Sequence, residues 1–289
     1  MSASSRSVLV TGATSGIGLV TCLELAGAGW DVIGSSRTAE KAKVLTAAAE
    51  EAGVSLRTVL LDVDDDVSCA RAVDECGELY ALVNNAGFAQ SGAVEDVSCD
   101  LARRQLETNV IAPMRMASLV LPGMRARGTG RIVNISSVAG RLSIPLMGWY
   151  SASKHALEAV TDALRIEVDG DGIKVALVEP GMFATDVWSA TQEGGFPDPS
   201  TARYAAAYAR GQALGARSHK LPDPVWVART IRVALTNPVP LARYVVGADA
   251  VGGIVAESFL PTVLLDYVKS VSTGLRGGRQ IPLLNRLLP

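Results

Sequence analysis

The chain has 289 residues and a formal net charge of -2, with 48% hydrophobic and 19% charged residues. This much apolar material supports a large buried core and excludes an intrinsically disordered chain. No basic stripe runs along any segment, which argues against nucleic-acid binding. The four cysteines and two histidines follow no zinc-binding spacing, so we expect neither a metal site nor a disulfide framework.

The sequence also bears on cellular location. Its first residues lack an apolar run of signal-peptide length. It contains no stretch of about 18 uncharged apolar residues, the length that a membrane-spanning helix requires. We therefore expect a cytoplasmic protein without a spanning helix.

Short apolar runs alternate with helical patterns along the chain. The runs predict strands at 7–11, 31–36, 56–61, 79–84, 131–136, 174–179 and 242–246. The helical patterns lie at 16–28, 39–52, 100–127, 149–169, 224–236 and 250–271, and Pro261 interrupts the last of them. Strands that are buried on both faces read as continuous apolar runs, as these do. The alternation predicts an α/β fold, with a doubly wound parallel sheet, helices on both faces and one domain over 1–289.

Two segments differ from this pattern. Residues 182–222 form a long connection that is rich in glycine and proline, and long insertions in compact domains are commonly lids or binding loops. We expect this segment to be the substrate loop. Residues 248–289 are apolar and predict a helical C-terminal extension.

A glycine-rich turn joins the first predicted strand to the first predicted helix. Gly12, Gly16 and Gly18 let the backbone turn sharply and come close to a pyrophosphate. The helix that follows offers free N–H groups and a positive dipole end to the phosphates. Thr14, Ser15 and Ile17 lie inside the same turn. This position between strand and helix predicts a dinucleotide phosphate site.

Further motifs follow the later strands, where ligands bind in sheets of this kind. They comprise Asn85-Ala86-Gly87, Asn109 in the long helical region, Ser137, Tyr150 with Lys154, and Pro180-Gly181. Together with the glycine turn, these motifs resemble the short-chain dehydrogenase/reductase family over about residues 7–185. The C-terminal extension looks most like the branch of 17β-hydroxysteroid and retinol dehydrogenases. The resemblance implies a single Rossmann-type domain with seven parallel strands and a homodimer or homotetramer.

The resemblance also implies a catalytic set of Asn109, Ser137, Tyr150 and Lys154. Ser136 competes with Ser137, and the usual distance from Ser to Tyr in the family favours Ser137. Tyr150 and Lys154 are four residues apart on a helix, so they share one face. A nearby ammonium favours the phenolate, which would make Tyr150 a general acid/base. The family implies that Lys154 also binds the nicotinamide ribose and that Asn109 holds a water for proton transfer.

The end of the second predicted strand bears on the choice of cofactor. NAD enzymes usually carry an acid there, whereas an arginine accommodates the 2′-phosphate of NADP. This strand ends in Ser36 and Arg37 with no acid, so we predict NADP(H) in preference to NAD. The resemblance implies that Asp62 and Val63 border the adenine and that Thr185 bonds the nicotinamide carboxamide. The predicted cofactor contacts are Gly12, Thr14, Ser15, Gly16, Ile17, Gly18, Arg37, Asp62, Val63, Asn85, Ala86, Gly87, Tyr150, Lys154, Pro180, Gly181 and Thr185.

The resemblance implies hydride transfer between NADP(H) and an alcohol or ketone, such as a steroid or retinoid, and the residues after Pro180 indicate a small apolar substrate. Met182, Phe183, Val187, Trp188 and Phe196 make the segment after Pro180 apolar, as small-ligand pockets mostly are. A 3-oxoacyl reductase of the same family and a non-catalytic dinucleotide sensor remain as alternatives. The C-terminal extension has three possible fates: a cap beside the substrate, a subunit interface or a membrane contact. Its acidic residues make the membrane the least favoured of the three.

Overall fold

The computed structural model describes residues 6–185 and 203–276. Its strands are β1 (Ser7–Val10), β2 (Asp31–Ser36), β3 (Arg57–Leu60), β4 (Ala81–Asn84), β5 (Gly130–Ile135), β6 (Ile173–Pro180) and β7 (Arg243–Val246). All seven pair in parallel in one sheet of order β3-β2-β1-β4-β5-β6-β7. The order reverses between β1 and β4, and ligands of such sheets bind at the carboxyl ends of the strands near that point.

Helices cover both faces of the sheet. They are α1 (Gly16–Gly27), α2 (Ala39–Glu51), α3 (Asp66–Cys76), α4 (Cys99–Leu106), α5 (Ala112–Arg127), α6 (Gly148–Glu167), α7 (Ala205–Gly215), α8 (Val225–Thr236), α9 (Ala248–Phe259) and α10 (Thr262–Ser272). Alternate strand residues face opposite sides: Leu9 and Leu82 pack with α3 and α5, whereas Val8 and Val83 pack with α1 and α8. The predicted α/β fold with a doubly wound parallel sheet is confirmed.

Two helices were not predicted. The α3 helix buries only small side chains, Cys69, Ala72 and Cys76, so its apolar pattern is weak. Its N-terminus is capped by Asp65, whose carboxylate accepts the Ser68 N–H at 2.7 Å. The second is α7, which lies within the predicted loop 182–222 and buries Tyr208. The long connection that the sequence indicates over 182–222 therefore contains a helix within its described part.

The predicted helix 100–127 contains a π-helical turn at Glu107–Ile111 between α4 and α5. Such turns occur often at functional sites. Asn109 lies in the middle of it, and the residue four positions later is Pro113, which has no N–H. The Asn109 carbonyl therefore lacks the donor that an ordinary α-helix supplies.

The described part of the C-terminal extension consists of α9 and α10, which separate at Pro261 as predicted. A Cβ at Gly253 of α9 would lie 2.9 Å from Leu142, in the loop that follows β5. Gly274, just beyond α10, adjoins Ala207 of α7. The extension thus packs beside the loop after β5 and beside α7. Within the described ranges, none of the helices has both the length and the apolar character needed to cross a bilayer.

Candidate active site

A cavity of about 480 Å³ opens at the carboxyl ends of β1 to β6. Of the predicted catalytic and cofactor residues, only Gly18 and Asn109 do not line it. The sequence did not single out several further lining residues, which are Ser35, Lys41, Leu61, Asp64, Phe88, Arg104, Thr108 and Ile135. Three residues of the predicted apolar segment, Val187, Trp188 and Phe196, lie outside the described residues.

The glycine turn at one wall of the cavity depends on the absence of side chains. Gly12 and Gly16 have φ angles of +64° and +51°, which favour glycine. A Cβ at Gly18 would overlap the Gly12 carbonyl and would lie 2.5 Å from the side-chain nitrogen of Asn85. The first N–H groups of α1 point to this wall and have no acceptor within the helix. Gly18 therefore lies behind the cavity wall and allows the close packing of the turn.

Thr11 and Asn85 hold this turn against the end of β4. The Thr11 hydroxyl accepts the Asn85 and Ala86 N–H groups at 3.0 and 2.9 Å. The Asn85 amide donates to the carbonyls of Thr11 and Gly12 at 2.9 and 3.1 Å. Asn85 lines the cavity, but its amide nitrogen is committed to the turn. Sequence reasoning missed Thr11, because its partners lie more than 70 positions away.

Two cations line the cavity beyond the end of β2. Arg37 follows the strand directly, and Lys41 lies in the first turn of α2. The hydroxyl of Thr38 caps this helix by accepting the Lys41 N–H at 3.3 Å. The Ser36 hydroxyl donates to the Thr38 carbonyl at 2.8 Å and thereby shapes the same corner. Lys41 lies four residues after Arg37, and this spacing in the sequence could have identified it as a second cation of the site.

Ser137, Tyr150 and Lys154 meet at the other end of the cavity. Ser137 accepts the Ala139 N–H at 3.1 Å and hydrogen-bonds Tyr150, whose side chain is buried. Ser136 lies beside them, but its buried hydroxyl has no partner among the described residues. The geometry thus separates the two candidate serines, because only Ser137 is hydrogen-bonded to Tyr150.

The electrostatics of the pair differ from the sequence-based expectation. Burial raises the pKa of Tyr150, and the hydrogen bond from Ser137 opposes that rise. Lys154 donates to the Ile135 carbonyl at 2.8 Å, and its nitrogen lies 5.9 Å from the centre of the Tyr150 ring. Burial lowers the pKa of Lys154 to about 8, with Glu158 acting against it. In this arrangement Tyr150 is a neutral phenol at neutral pH, and such a phenol can donate a proton.

Asn109 lies behind this end of the cavity. Its amide donates to the Phe88 carbonyl and to the Ser153 hydroxyl, both at 3.0 Å, and its oxygen accepts the Phe88 N–H at 3.2 Å. The side chain therefore ties the loop after β4 to α6. Any role in proton transfer falls to the Asn109 main-chain carbonyl, which Pro113 leaves without an α-helical donor.

The segment after β6 closes the cavity from above. Pro180, Gly181 and Thr185 line it, and Phe183 is buried. The Met182 N–H donates to the Asp249 carboxylate at 2.7 Å. Because Asp249 belongs to α9, this bond joins the C-terminal extension to the lining of the cavity.

On the side away from Ser137 and Lys154, the neighbours of Tyr150 are apolar. Tyr150 packs in a buried cluster with Ala89, Ala139 and Met147, and Ile144 adjoins this cluster. A reacting carbonyl held by Ser137 and Tyr150 would thus sit against hydrocarbon on this side.

Comparison with known proteins agrees with this geometry. The family model described as short chain dehydrogenase matches residues 6–194. The uncharacterized oxidoreductase YusZ of Bacillus subtilis is 42% identical over 186 residues, which cover 63% of this chain and 66% of that protein. The NADPH-dependent 3-dehydrocapnine reductase of Ornithobacterium rhinotracheale is 34% identical over 274 residues, which cover 91% of this chain and 95% of that protein. The structure of a short-chain dehydrogenase from Streptomyces avermitilis matches with a TM-score of 0.77 at 35% identity, over 96% of this chain and all of the other.

Proposed function

This chain belongs to the short-chain dehydrogenase/reductase family, and we propose that it is an NADP(H)-dependent oxidoreductase acting on a lipophilic alcohol or ketone. The observation that carries the proposal is the meeting of Ser137, Tyr150 and Lys154 at one end of a cavity whose opposite wall is a glycine turn. A dinucleotide sensor without turnover has no need of this hydroxyl pair beside a buried ammonium.

The wall of the cavity fits a dinucleotide. Side chains at Gly12 or Gly18 would collide with Ala86 or with the Gly12 carbonyl and would distort the turn at the N-terminus of α1, where free N–H groups suit a pyrophosphate. Arg37 and Lys41 at the adenosine end suit the additional phosphate of NADP. When bound, the nicotinamide supplies or accepts the hydride.

The protein's own groups handle the proton. In reduction, Tyr150 donates its phenolic proton to the substrate oxygen, and Ser137 holds that oxygen by a hydrogen bond. The Lys154 ammonium stabilises the phenolate that remains. A water on the Asn109 carbonyl returns a proton from solvent toward Lys154. In oxidation, these proton transfers run in the opposite direction.

Three observations support a lipophilic ketone as the substrate. The cluster around Tyr150 is apolar, and Phe183 is buried in the segment above it. The relative from Ornithobacterium rhinotracheale is named as a reductase that depends on NADPH. The extension packs against Leu142, close to Ser137, and this favours the cap among its three fates.

A panel of substrates tests the proposal. Purified protein is mixed with NADPH and with 3-oxo lipids of increasing chain length, and loss of nicotinamide absorbance is followed. A short polar ketone is the matched control. We expect kcat/KM to rise with chain length and to be lowest for the control. Protein that binds NADPH but consumes none of it with any ketone, and reduces no NADP with the corresponding alcohols, would contradict an enzymatic function.

Substitution of Asp249 tests the contact between the extension and the cavity. Asp249→Ala removes the acceptor of the Met182 N–H, so the segment after Gly181 loses a charge-assisted hydrogen bond. We expect the KM for NADPH to rise about fivefold. Asp266→Ala, on the exposed surface of α10, is the control and should leave that KM unchanged. Equal KM values for both variants and the wild type would show that the contact does not matter for binding.

The proposed homodimer or homotetramer has a surface to support it. Helix α8 and the segment before the edge strand β7 present exposed apolar side chains at Trp226, Val233 and Leu241. Such patches often mark protein–protein contacts. We expect Leu241→Glu to lower the molar mass in solution, measured by light scattering after gel filtration. Val67→Glu, on an exposed part of α3, should not; a monomeric wild type would remove the prediction.

A further inference from the structure

A buried group of charged side chains lies directly behind the catalytic end of the cavity. Glu179 is the last residue before Pro180, and its side chain is fully buried. Glu158 lies one helical turn after Lys154 on α6 and is 5% exposed. Neither carboxylate lines the cavity, so neither can contact a cofactor there.

A single guanidinium serves both carboxylates. The Arg243 Nε lies 2.9 Å from Glu158 and 3.2 Å from Glu179, and its Nη2 lies 2.5 Å from Asp162. Arg141 approaches Glu179 only to 3.5 Å, and its side chain is 39% exposed. Two buried carboxylates thus depend mainly on one arginine that a third carboxylate also uses. Ionising both would leave negative charge poorly compensated in a buried space.

Three buried oxygens in this space have no hydrogen-bond partner among the described residues. They are Ser136 Oγ, Glu158 Oε1 and Glu179 Oε2. Ser136 lies next to Glu179 across the sheet, since its N–H donates to the Val178 carbonyl at 2.8 Å. A Cβ at Gly140 would lie 2.7 Å from Ser136 Oγ and 3.0 Å from Glu158 Cγ, so these two groups adjoin the same glycine. The three side chains thus lie on neighbouring elements: Ser136 directly follows β5, Glu179 belongs to β6 and Glu158 belongs to α6.

We propose that Glu158 and Glu179 together hold a single proton and, bridged by Arg243, form a positioning pair that fixes α6 against β6. The Arg243 Nε, which lies 2.9 Å from Glu158 and 3.2 Å from Glu179, compensates the one negative charge that then remains on the pair. Lys154 precedes Glu158 on α6, and Pro180 follows Glu179 on β6. The pair therefore sets the distance between the two elements that carry these cavity residues. Its effect on catalysis rests on the proposed function, whereas its effect on folding does not.

The charged groups that face the pair favour retention of a proton above the pH at which a glutamate carboxyl usually ionises. Burial raises the pKa of Glu179, and the negative charge of Glu158 raises it further, against the opposing effects of Arg141 and Arg243. On α6 itself, Lys154 lies one helical turn before Glu158, which helps to keep it charged, and Arg165 pairs with Asp162. Because the folded pKa of Glu179 lies above its unfolded value, the protonated pair stabilises the fold at low pH. That stability is lost as pH rises through the folded pKa.

The test compares thermal unfolding of the wild type and Glu179→Gln from acidic to alkaline pH. Glutamine keeps the shape and can donate a hydrogen bond, but it never ionises. We expect the wild-type Tm to fall relative to that of the variant by roughly 3 °C as pH rises from about 5 to about 8. Asp169→Asn is the control, because the Asp169 carboxylate accepts a hydrogen bond from Lys174 away from the pair and its pKa is lowered by that contact. The Tm of this variant should change with pH in parallel with that of the wild type.

Parallel Tm curves for Glu179→Gln and the wild type would overturn the shared proton. If Glu179→Gln fails to fold, the carboxyl ¹³C shifts of labelled wild-type protein report the protonation of both glutamates. Shifts showing that Glu158 and Glu179 are both ionised at pH 6 would equally exclude the shared proton.

A second measurement tests positioning. The ratio of kcat at pH 6 to kcat at pH 8 should change roughly threefold between wild type and variant. An unchanged ratio, with the thermal result as expected, would confine the pair to stability.

Discussion

Tyr150→Phe is expected to lower kcat by about 10³-fold while the protein stays folded and still binds NADPH. The substitution removes only the phenolic oxygen, and the ring keeps its packing against Ala89, Ala139 and Met147. Without that oxygen, the substrate loses its proton donor and Ser137 loses a hydrogen-bond partner. The measurements are kcat with the best ketone of the panel and the Kd for NADPH by fluorescence titration.

Tyr244→Phe is the matched control for this experiment. Its hydroxyl lies on β7 and accepts the Leu241 N–H at 3.0 Å, away from the cavity. Removing it should leave kcat within about twofold of the wild type. Turnover by Tyr150→Phe at the level of this control would remove Tyr150 from the mechanism.

The pH dependence of the catalytic pair follows from burial. The raised pKa of Tyr150 keeps its proton in place through neutral pH, which suits reduction. Lys154, whose pKa is lowered to about 8, begins to lose its charge in the mildly alkaline range. Loss of this ammonium removes the group that stabilises the Tyr150 phenolate after proton transfer. Reductase activity should therefore decline as pH rises above this value.

The local part of the site could be predicted from the sequence. Tyr150 and Lys154 share a helix face because of their spacing, and Gly12 and Gly16 mark a turn at a recognisable junction. The strands could be predicted as well, because strands buried on both faces have continuous apolar runs. These signals depend on neighbours within a few residues of one another.

Groups that act through distant partners could not be predicted in this way. Thr11 supports the glycine turn through Asn85, and Asp249 reaches Met182 from the C-terminal extension. The charges around Glu179 come from three separate parts of the fold: α6, the loop after β5 and β7. Burial also reversed the expected direction of the Tyr150 pKa, since the sequence indicates a nearby ammonium but not the depth of the site. Only the packed fold brings these effects together.

The choice between NADP(H) and NAD(H) depends on the two cations beyond β2, and Arg37→Ala tests it. A charge-assisted bond to the 2′-phosphate contributes about 1.5–3 kcal/mol, which corresponds to tenfold or more in affinity. We expect kcat/KM with NADPH to fall by at least about tenfold and that with NADH to change little. Lys41→Ala should act in the same direction with a smaller effect, because a lysine contributes a point charge without a two-pronged contact.

Arg229→Ala provides the control, because Arg229 stacks on Trp226 at 5.2 Å and lies outside the cavity. This variant should leave kcat/KM unchanged with both NADPH and NADH. The double variant of Arg37 and Lys41 should then show whether the two cations act on one phosphate, since effects on a shared ligand are not additive. A wild type that uses NADH and NADPH equally well, or an Arg37→Ala variant with an unaltered preference, would show that neither cation selects the cofactor. In that case the basic corner beyond β2 would be a solvated surface, and the proposed dependence on NADP(H) would have to be abandoned while the oxidoreductase assignment stood.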